Sequence, residues 1–497
     1  MTADYLFIHA ILITMRGNGV GILEDGAVAV TGNRISAVGA TKEVLQDWSA
    51  HRVIDASGKV VMPGLIDAHI HTGDGLVRGV SQDLNNWMQH GLWPFEQELR
   101  KDVDAVCKGS LMNIVEALKA GTTTFCDFDT PMTQIVQNHV KVGTRARVAE
   151  LISELPEENK TAVGELYTFD PAQGNRKFLR NLDLIQKWND RENGRITCML
   201  GPQGPDMCSK ELLLEIQEAA FRLDTGIHMH VSQGDREINQ MMKRYGKRSI
   251  PFLDEIGYLN HRLMAVHLTE ATKEETQLLA SKGAGMILCS GSIAIIDGII
   301  PPAAEFLEVS DRLALGSDQA PGNNCNNMFN EMKFTAILNK CKFKDPSVFP
   351  AGKVLRMATI EAAKAIGLGN EIGSIDVGKK ADLLMINMTQ PCLSPIILHP
   401  VRNVVPNLVY SAKGSEVELV MVDGNILIEN FQVLTVDEKQ VVRDAQAAVE
   451  RVCKAAELPF SKIPESRLHR MMQNDELLTN GMRVQTRTKR IREMQRW

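Results

Sequence analysis

His69 and His71 close the stretch Val61-Met62-Pro63-Gly64-Leu65-Ile66-Asp67-Ala68-His69-Ile70-His71. Residues two apart on a strand project to the same side, so an apolar run ending in His-x-His aims two imidazoles at one point. That is a metal-ligand geometry. A single histidine is more often a core or surface residue with an ordinary hydrogen bond. The pair at strand spacing, entered through Pro63-Gly64, favours the metal.

Other chemistry-bearing residues also fall on apolar runs. Gly226 to Val231 carries His228 and His230, Leu263 to His267 ends in a histidine, and Leu313 to Asp318 ends in an aspartate. Gly121 to Asp127, Ile196 to Leu200 and Gly285 to Cys289 are strand-like as well. Amphipathic segments such as Asp102 to Ala120, Lys210 to Leu223 and Lys273 to Ser281 lie among them. Strand-then-helix repeated over residues 63–370 predicts an α/β fold, a (β/α)8 TIM-like barrel whose chemistry sits at the C-terminal ends of its strands. His71, His230, His267 and Asp318 fall there. The alternative, an open doubly wound sheet, lacks the Gly-x-Gly-x-x-Gly turn that would bind a dinucleotide.

The chain ends read differently. Residues 1–62 suggest short strands at Tyr5 to Met15, Ala27 to Thr31, Arg34 to Val38 and Arg52 to Ile54, too little to close a core alone. Strand character returns over residues 371–432, where Asp423-Gly424-Asn425 between Val417 to Val422 and Ile426 to Ile428 is a hairpin signal. The two ends are expected to form one small β-sandwich domain together. Residues 433–497 are charged and helix-like, basic from Arg483 to Arg496, and read as a docking or oligomerisation extension rather than a nucleic-acid arm.

The 497 residues include 55 basic and 61 acidic ones, a net charge of −6, which gives no general attraction to nucleic acid or to a membrane surface. Nine scattered cysteines without a Cys-x-x-Cys pair fit free thiols in a reducing cytoplasm. No basic n-region opens the chain, and no apolar run reaches the roughly 18 residues of a membrane span. A cytoplasmic protein is expected.

With Pro63 to His71, Leu76-Val77-Arg78-Gly79, Trp93-Pro94-Phe95-Glu96, Ala120-Gly121-Thr122-Thr123-Thr124, Leu315-Gly316-Ser317-Asp318, Met328 to Lys333, Arg356-Met357-Ala358-Thr359 and Ile372-Gly373-Ser374 to Asp382-Leu383 in this order, the chain resembles the amidohydrolase superfamily. The likeness is to the deaminase and chlorohydrolase branch, which holds methylthioadenosine and S-adenosylhomocysteine deaminases, guanine and cytosine deaminases, and s-triazine hydrolases. It extends to residue 432. The resemblance implies one divalent ion, zinc or alternatively iron, held by His69, His71, His230 and Asp318, with a position open for water. On spacing alone His228 competes with His230; the family pattern selects His230. Binuclear relatives use a modified lysine on the fourth strand, and Ile196 to Pro205 holds no lysine. The resemblance also implies that Asp318 and His267 take the proton of a metal-activated water that attacks an electrophilic ring carbon.

Three positions depart from the branch. Its deaminases carry a glutamate three residues after the fifth-strand histidine, where this chain has Gln233, whose amide has no titratable proton. Asp235, Glu237 and Glu270 are nearby carboxylates that would substitute. Gln203 and Leu288-Cys289-Ser290 replace histidine-bearing motifs that contact substrate in the family, which argues against a nucleoside substrate. Gln203, Gln233 and Cys289, with His228 beside them, predict a neutral pocket for a compact polar heterocycle or cyclic amide. Glu96 and Arg78 would stand at its mouth, with Trp87 or Trp93 stacking on a planar ring. The function expected is an aminohydrolase of an amino-substituted heterocycle or cyclic amidine. Two alternatives are removal of a halide or alkylamine from a triazine-like ring (or opening of a cyclic amide), and a non-catalytic metal-binding relative. A small heterocycle, water and further copies of the chain are the partners expected, with no nucleic acid or membrane.

Overall fold

The apolar run that leads to His71 is two strands. Lys59–Pro63 belongs to a sheet made from the chain ends, Leu65–His71 opens the barrel, and Gly64 is the switch between them. A Cβ on Gly64 would lie 2.0 Å from Thr123 Oγ1, so only a glycine lets the chain cross there. The computed structural model describes residues 1–82, 87–156 and 164–461.

The barrel strands in order are Leu65–His71, Thr122–Asp129, Arg145–Ile152, Ile196–Cys198 with Gly201–Pro202, Ile227–Val231, Leu263–His267, Gly285–Leu288, and Leu313–Leu315 with Asp318–Gln319. Neighbours pair in parallel. Leu200 against Ile227 joins the fourth strand to the fifth, and Asp318 against Ile70 returns the eighth to the first, so the barrel closes. Parallel pairing demands crossovers, which helices such as Val103–Lys119, Lys210–Arg222 and Lys273–Ser281 supply. Ile66, Phe128, Met199, Met264, Ile287 and Ala314 share one buried cluster, so apolar side chains fill the space among the strands.

The fourth and eighth strands, each read from sequence as one run, are broken. At the eighth the cause is close packing. A Cβ on Gly316 would lie 2.8 Å from both N and Cβ of His69, and Ser317 turns its N–H and hydroxyl to Asp67 at 2.9 and 2.5 Å. The break re-aims Asp318.

The chain ends form one nine-stranded sheet, in which Lys59–Pro63 pairs antiparallel with Leu383–Asn387. Residues 371–382, expected to be extended, are turns and loops. Asp423 and Gly424 have φ of 51° and 77°, the positive pair that a two-residue hairpin needs. Sheet and barrel are clamped at Arg145, which opens the third barrel strand. Its Nε and Nη2 donate to Asp382 at 2.6 and 3.0 Å, and Nη2 reaches Asp423 at 3.3 Å.

Helix Glu438–Ser461 packs on Trp93–Lys101 and Val103–Lys119. Its buried residues Val441, Ala445, Ala448, Val452 and Ala456 recur at helical spacing, and Arg451 pairs with Asp102 and Asp104, each at 2.9 Å. As far as Ser461, the extension therefore docks on its own barrel. Its basic end, Arg483 to Arg496, lies outside the described residues. Among the described residues no helix is long and apolar enough to cross a membrane.

The Arg145 and Asp382 side chains are 5% and 4% exposed. Removing one partner of a buried ion pair strands the other charge, at a cost of about 3–5 kcal/mol. Asp382→Ala is expected to lower the apparent unfolding free energy by about 3 kcal/mol, measured by urea denaturation; a loss below about 1 kcal/mol would show that the seam is held elsewhere.

Candidate active site

His69 and His71 lie at the end of the first barrel strand, His230 on the fifth, and Asp318 at the resumption of the eighth. Their donor atoms converge. His230 Nε2 lies 3.3 Å from His69 Nε2, which is 3.4 Å from Asp318 Oδ1, and His71 Nε2 is 3.6 Å from the same oxygen. Four donors held tetrahedrally at zinc-ligand distances stand roughly 3.3–3.6 Å apart. The residues present therefore fit one divalent ion.

Hydrogen bonds turn the correct ring nitrogens inward. His230 Nδ1–H donates to the Gln203 carbonyl at 2.7 Å, which leaves its Nε2 as a lone pair. His69 Nδ1 lies 2.8 Å from His228 Nε2; with His69 Nε2 facing the centre, Nδ1 carries the proton and donates. His228 thus sits behind a ligand, its ring stacked on Phe128 at 4.9 Å. Burial first, then the neighbouring imidazoles, hold His69, His228 and His230 well below the usual histidine value. Neutral rings are the state that binds metal.

Asp318 is 1% exposed. Burial pushes its carboxyl up, but the imidazoles of His267, His71 and His230 and the Ser292 hydroxyl, which donates to Oδ2 at 2.5 Å, bring it below the ordinary value. His267 is fully buried, and burial pushes its imidazole down to about 4. Neither of its ring nitrogens has a hydrogen-bond partner among the described residues, an expensive state in a closed site that a guest able to donate would relieve. A ring nitrogen of His267, a carboxylate oxygen of Asp318 and a ring nitrogen of His69 lie within 4.8 Å of one another. His267 and Asp318 have φ of +77° and +61°, backbone that side-chain-bearing residues rarely adopt and that gathers at functional sites.

His71, His230 and Asp318 line a cavity of about 740 Å³, together with Gln203, Gln233 and Glu96. Arg78, Trp87, His228 and Cys289 do not line it. Arg78 instead binds Glu116 at 2.8 Å, Asn113 at 3.1 Å and the Asn324 carbonyl at 2.9 Å, tying the first loop to helix Val103–Lys119. Trp87 packs against the core, while Trp93 lines the cavity. Cys289 is fully buried, and Ser290 pairs with Thr335 at 2.7 Å. Asp235 is exposed. Glu237 accepts the N–H groups of Ser232 and Gln233 at 2.6 and 2.8 Å, holding the loop rather than facing the cavity. Glu270 is likewise absent from the lining.

Sequence reasoning missed four residues here. Asp74 and Arg100 line the cavity; Asp129, fully buried, pairs with Arg100, and Ser292 holds Asp318. Asp74 had a signal, being a carboxylate three residues beyond His71 in a loop after a barrel strand, where barrel chemistry gathers. For Ser292, Asp129 and Arg100 the spacing gave none.

The amidohydrolase family model matches residues 60–427. The 5'-deoxyadenosine deaminase of Methanosarcina acetivorans is 35% identical over 457 residues, covering 91% of this chain and 99% of that protein. The 5-methylthioadenosine/S-adenosylhomocysteine deaminase of Moorella thermoacetica is 32% identical over 84% of this chain and 94% of its own. A zinc-bound adenosine deaminase from Xanthomonas campestris superposes with a TM-score of 0.82 at 28% identity, covering 91% of this chain and 99% of that one. Likeness of sequence and of fold runs through the segments that bring the imidazoles and the carboxylate together, and the chain belongs to the amidohydrolase family of metal-dependent hydrolases.

Proposed function

We propose that this chain is an aminohydrolase that replaces the exocyclic amino group of a purine nucleoside with the oxygen of water and releases ammonia. One zinc ion would be held by His69, His71, His230 and Asp318. The observation that carries the reading is the convergence of these donors, with spacings of 3.3, 3.4 and 3.6 Å, at a cavity that His71, His230 and Asp318 line. The cavity volume of about 740 Å³ lies within the usual range for small ligands, roughly 300–1,000 Å³. It has room for a sugar as well as a ring. Relatives named for 5'-deoxyadenosine and 5-methylthioadenosine support a 6-aminopurine nucleoside altered at its 5' position as the substrate class.

When bound, the ion supplies Lewis-acid activation of the attacking water. His267, a neutral base with neither nitrogen paired among the described residues, accepts the proton of that water. Asp318 keeps Oδ1 toward the imidazoles because Ser292 occupies Oδ2. The Gln203 and Gln233 amides orient the ring edge, Trp93 offers a face to stack on, and Glu96 accepts hydroxyl hydrogens of the sugar. We read the enzyme as cytosolic, a compartment that suits nine free cysteines, and as a homo-oligomer by family analogy alone. A second reading, removal of a halide or alkylamine from a triazine-like ring, draws support from Gln233, because a halide leaves without a proton.

Stripping the metal with a chelator is expected to abolish ammonia release from 5'-deoxyadenosine, and added zinc to restore it. Asp318→Asn should lower kcat at least about a thousandfold; near-normal turnover by the zinc-replete variant would remove Asp318 from the site. His228→Ala, which deprives His69 of its partner, is expected to weaken zinc affinity by about 10–100-fold, measured by competition with a chromogenic chelator. Unchanged affinity would reduce His228 to packing.

A further inference from the structure

Gln233 leaves one role unfilled in the aminohydrolase reading, because an amino group departs readily only when a proton accompanies it. Among the described residues, three carboxyl groups line the cavity: Asp74, Glu96 and Asp318. Asp318 has Oδ2 on Ser292 and Oδ1 among the imidazoles. Glu96 has a side chain 26% exposed and stands 3.4 Å from Arg100. Asp74 has a side chain only 4% exposed. Arg100 holds its Oδ1 at 2.6 Å, and its other oxygen has no hydrogen-bond partner among the described residues.

The loop that carries Asp74 is fixed. A Cβ on Gly75 would lie 2.5 Å from the Gly109 carbonyl, so the loop lies directly on helix Val103–Lys119. The Gly73 N–H donates to Asp129 at 2.6 Å, and Arg100 reaches Asp129 at 2.5 Å. One guanidinium therefore faces three carboxyls, those of Asp74, Asp129 and Glu96. A cluster with more acid than base in a poorly solvated place retains a proton. Burial, then Asp129, Glu96 and Asp318, raise the Asp74 carboxyl well above the ordinary range against the pull of Arg100.

We propose that Asp74 is the catalytic acid that protonates the departing amino group, in place of the glutamate absent at position 233, a proposal that rests on the aminohydrolase reading. The water oxygen bonds to the amino-bearing ring carbon, the C=N electron pair moves to the ring nitrogen, and the water proton passes through His267 to that nitrogen. On collapse the carbon–nitrogen bond to the amino group breaks with its electron pair on nitrogen, which takes the Asp74 proton and leaves as ammonia. The hydroxyl on carbon becomes a carbonyl and returns its proton to the Asp74 carboxylate.

The test compares leaving groups in the full-length zinc-loaded protein, using a 5'-deoxy purine nucleoside in its 6-amino and 6-chloro forms, since chloride departs without a proton. Asp74→Asn is expected to lower ammonia release at least about 100-fold, to change chloride release less than about fivefold, and to keep the zinc content of the wild type. Adding Gln233→Glu to that variant should recover ammonia release at least tenfold, about what an acid restored at a second position can contribute. Equal losses for both leaving groups, or ammonia release that survives Asp74→Asn, would overturn the assignment. Should the asparagine variant fail to fold, Asp74→Ser is measured by the same two ratios. A wild type active on the 6-chloro form and inert toward the 6-amino form overturns the aminohydrolase reading, and this proposal with it.

Discussion

Three imidazoles and a carboxylate repel one another when their donor atoms face inward at 3.3–3.6 Å. Holding them there against that repulsion is the constraint on which the rest of the structure depends. The donors come from strands far apart in sequence, so the barrel must bring the first, fifth and eighth into register and keep them there. Asp67 does part of this by bonding Ser317, one residue before Asp318, while its own strand carries His69 and His71. Gly316 does another part, because a side chain there would push the eighth strand off His69. The carbonyl of Gln203 sets the tautomer of His230 from the fourth strand. Each contact is small, and together they fix where a cation is favoured.

Burial gives the site its chemistry. Removing the rings from water keeps His69 and His230 neutral and leaves His267 able to accept a proton. The same burial around Arg100 acts in the opposite sense on carboxyls, so base and acid character arise in one cavity from one cause. Low polarity favours the uncharged form of a group whose counter-charge is missing or, like Arg100 among Asp74, Asp129 and Glu96, shared. Gln233 contributes no charge to this balance and serves as a hydrogen-bonding surface.

The frame outside the barrel explains why both chain ends are needed. Gly64 passes the chain from the end sheet directly into the strand of His69 and His71, so the sheet governs the entry of that strand. Arg145 locks the third strand to Asp382 and Asp423 of the returning chain. The helix Glu438–Ser461 covers the helices that follow the first strand, including the one that carries Glu96 and Arg100.

Much of this was legible before the fold was known. The period of two in His-x-His determined that His69 and His71 share a face, and the alternation of strand and helix determined a parallel barrel with residues at its strand ends. The sequence also put Gln203 and Gln233 just beyond strands near the site, and the family resemblance put Glu96 near its mouth. Spacing fixes which side of an element a residue faces, but not what stands opposite. Arg78 therefore reads as a substrate ligand although Glu116 occupies it, and spacing does not separate Trp87 from Trp93, of which Trp93 lines the cavity. The breaks in the fourth and eighth strands, the pairing of His228 behind His69, and the meeting of Asp74, Arg100 and Asp129 from three separate segments were decided by tertiary packing alone, because each depends on close approach between residues that no sequence period relates.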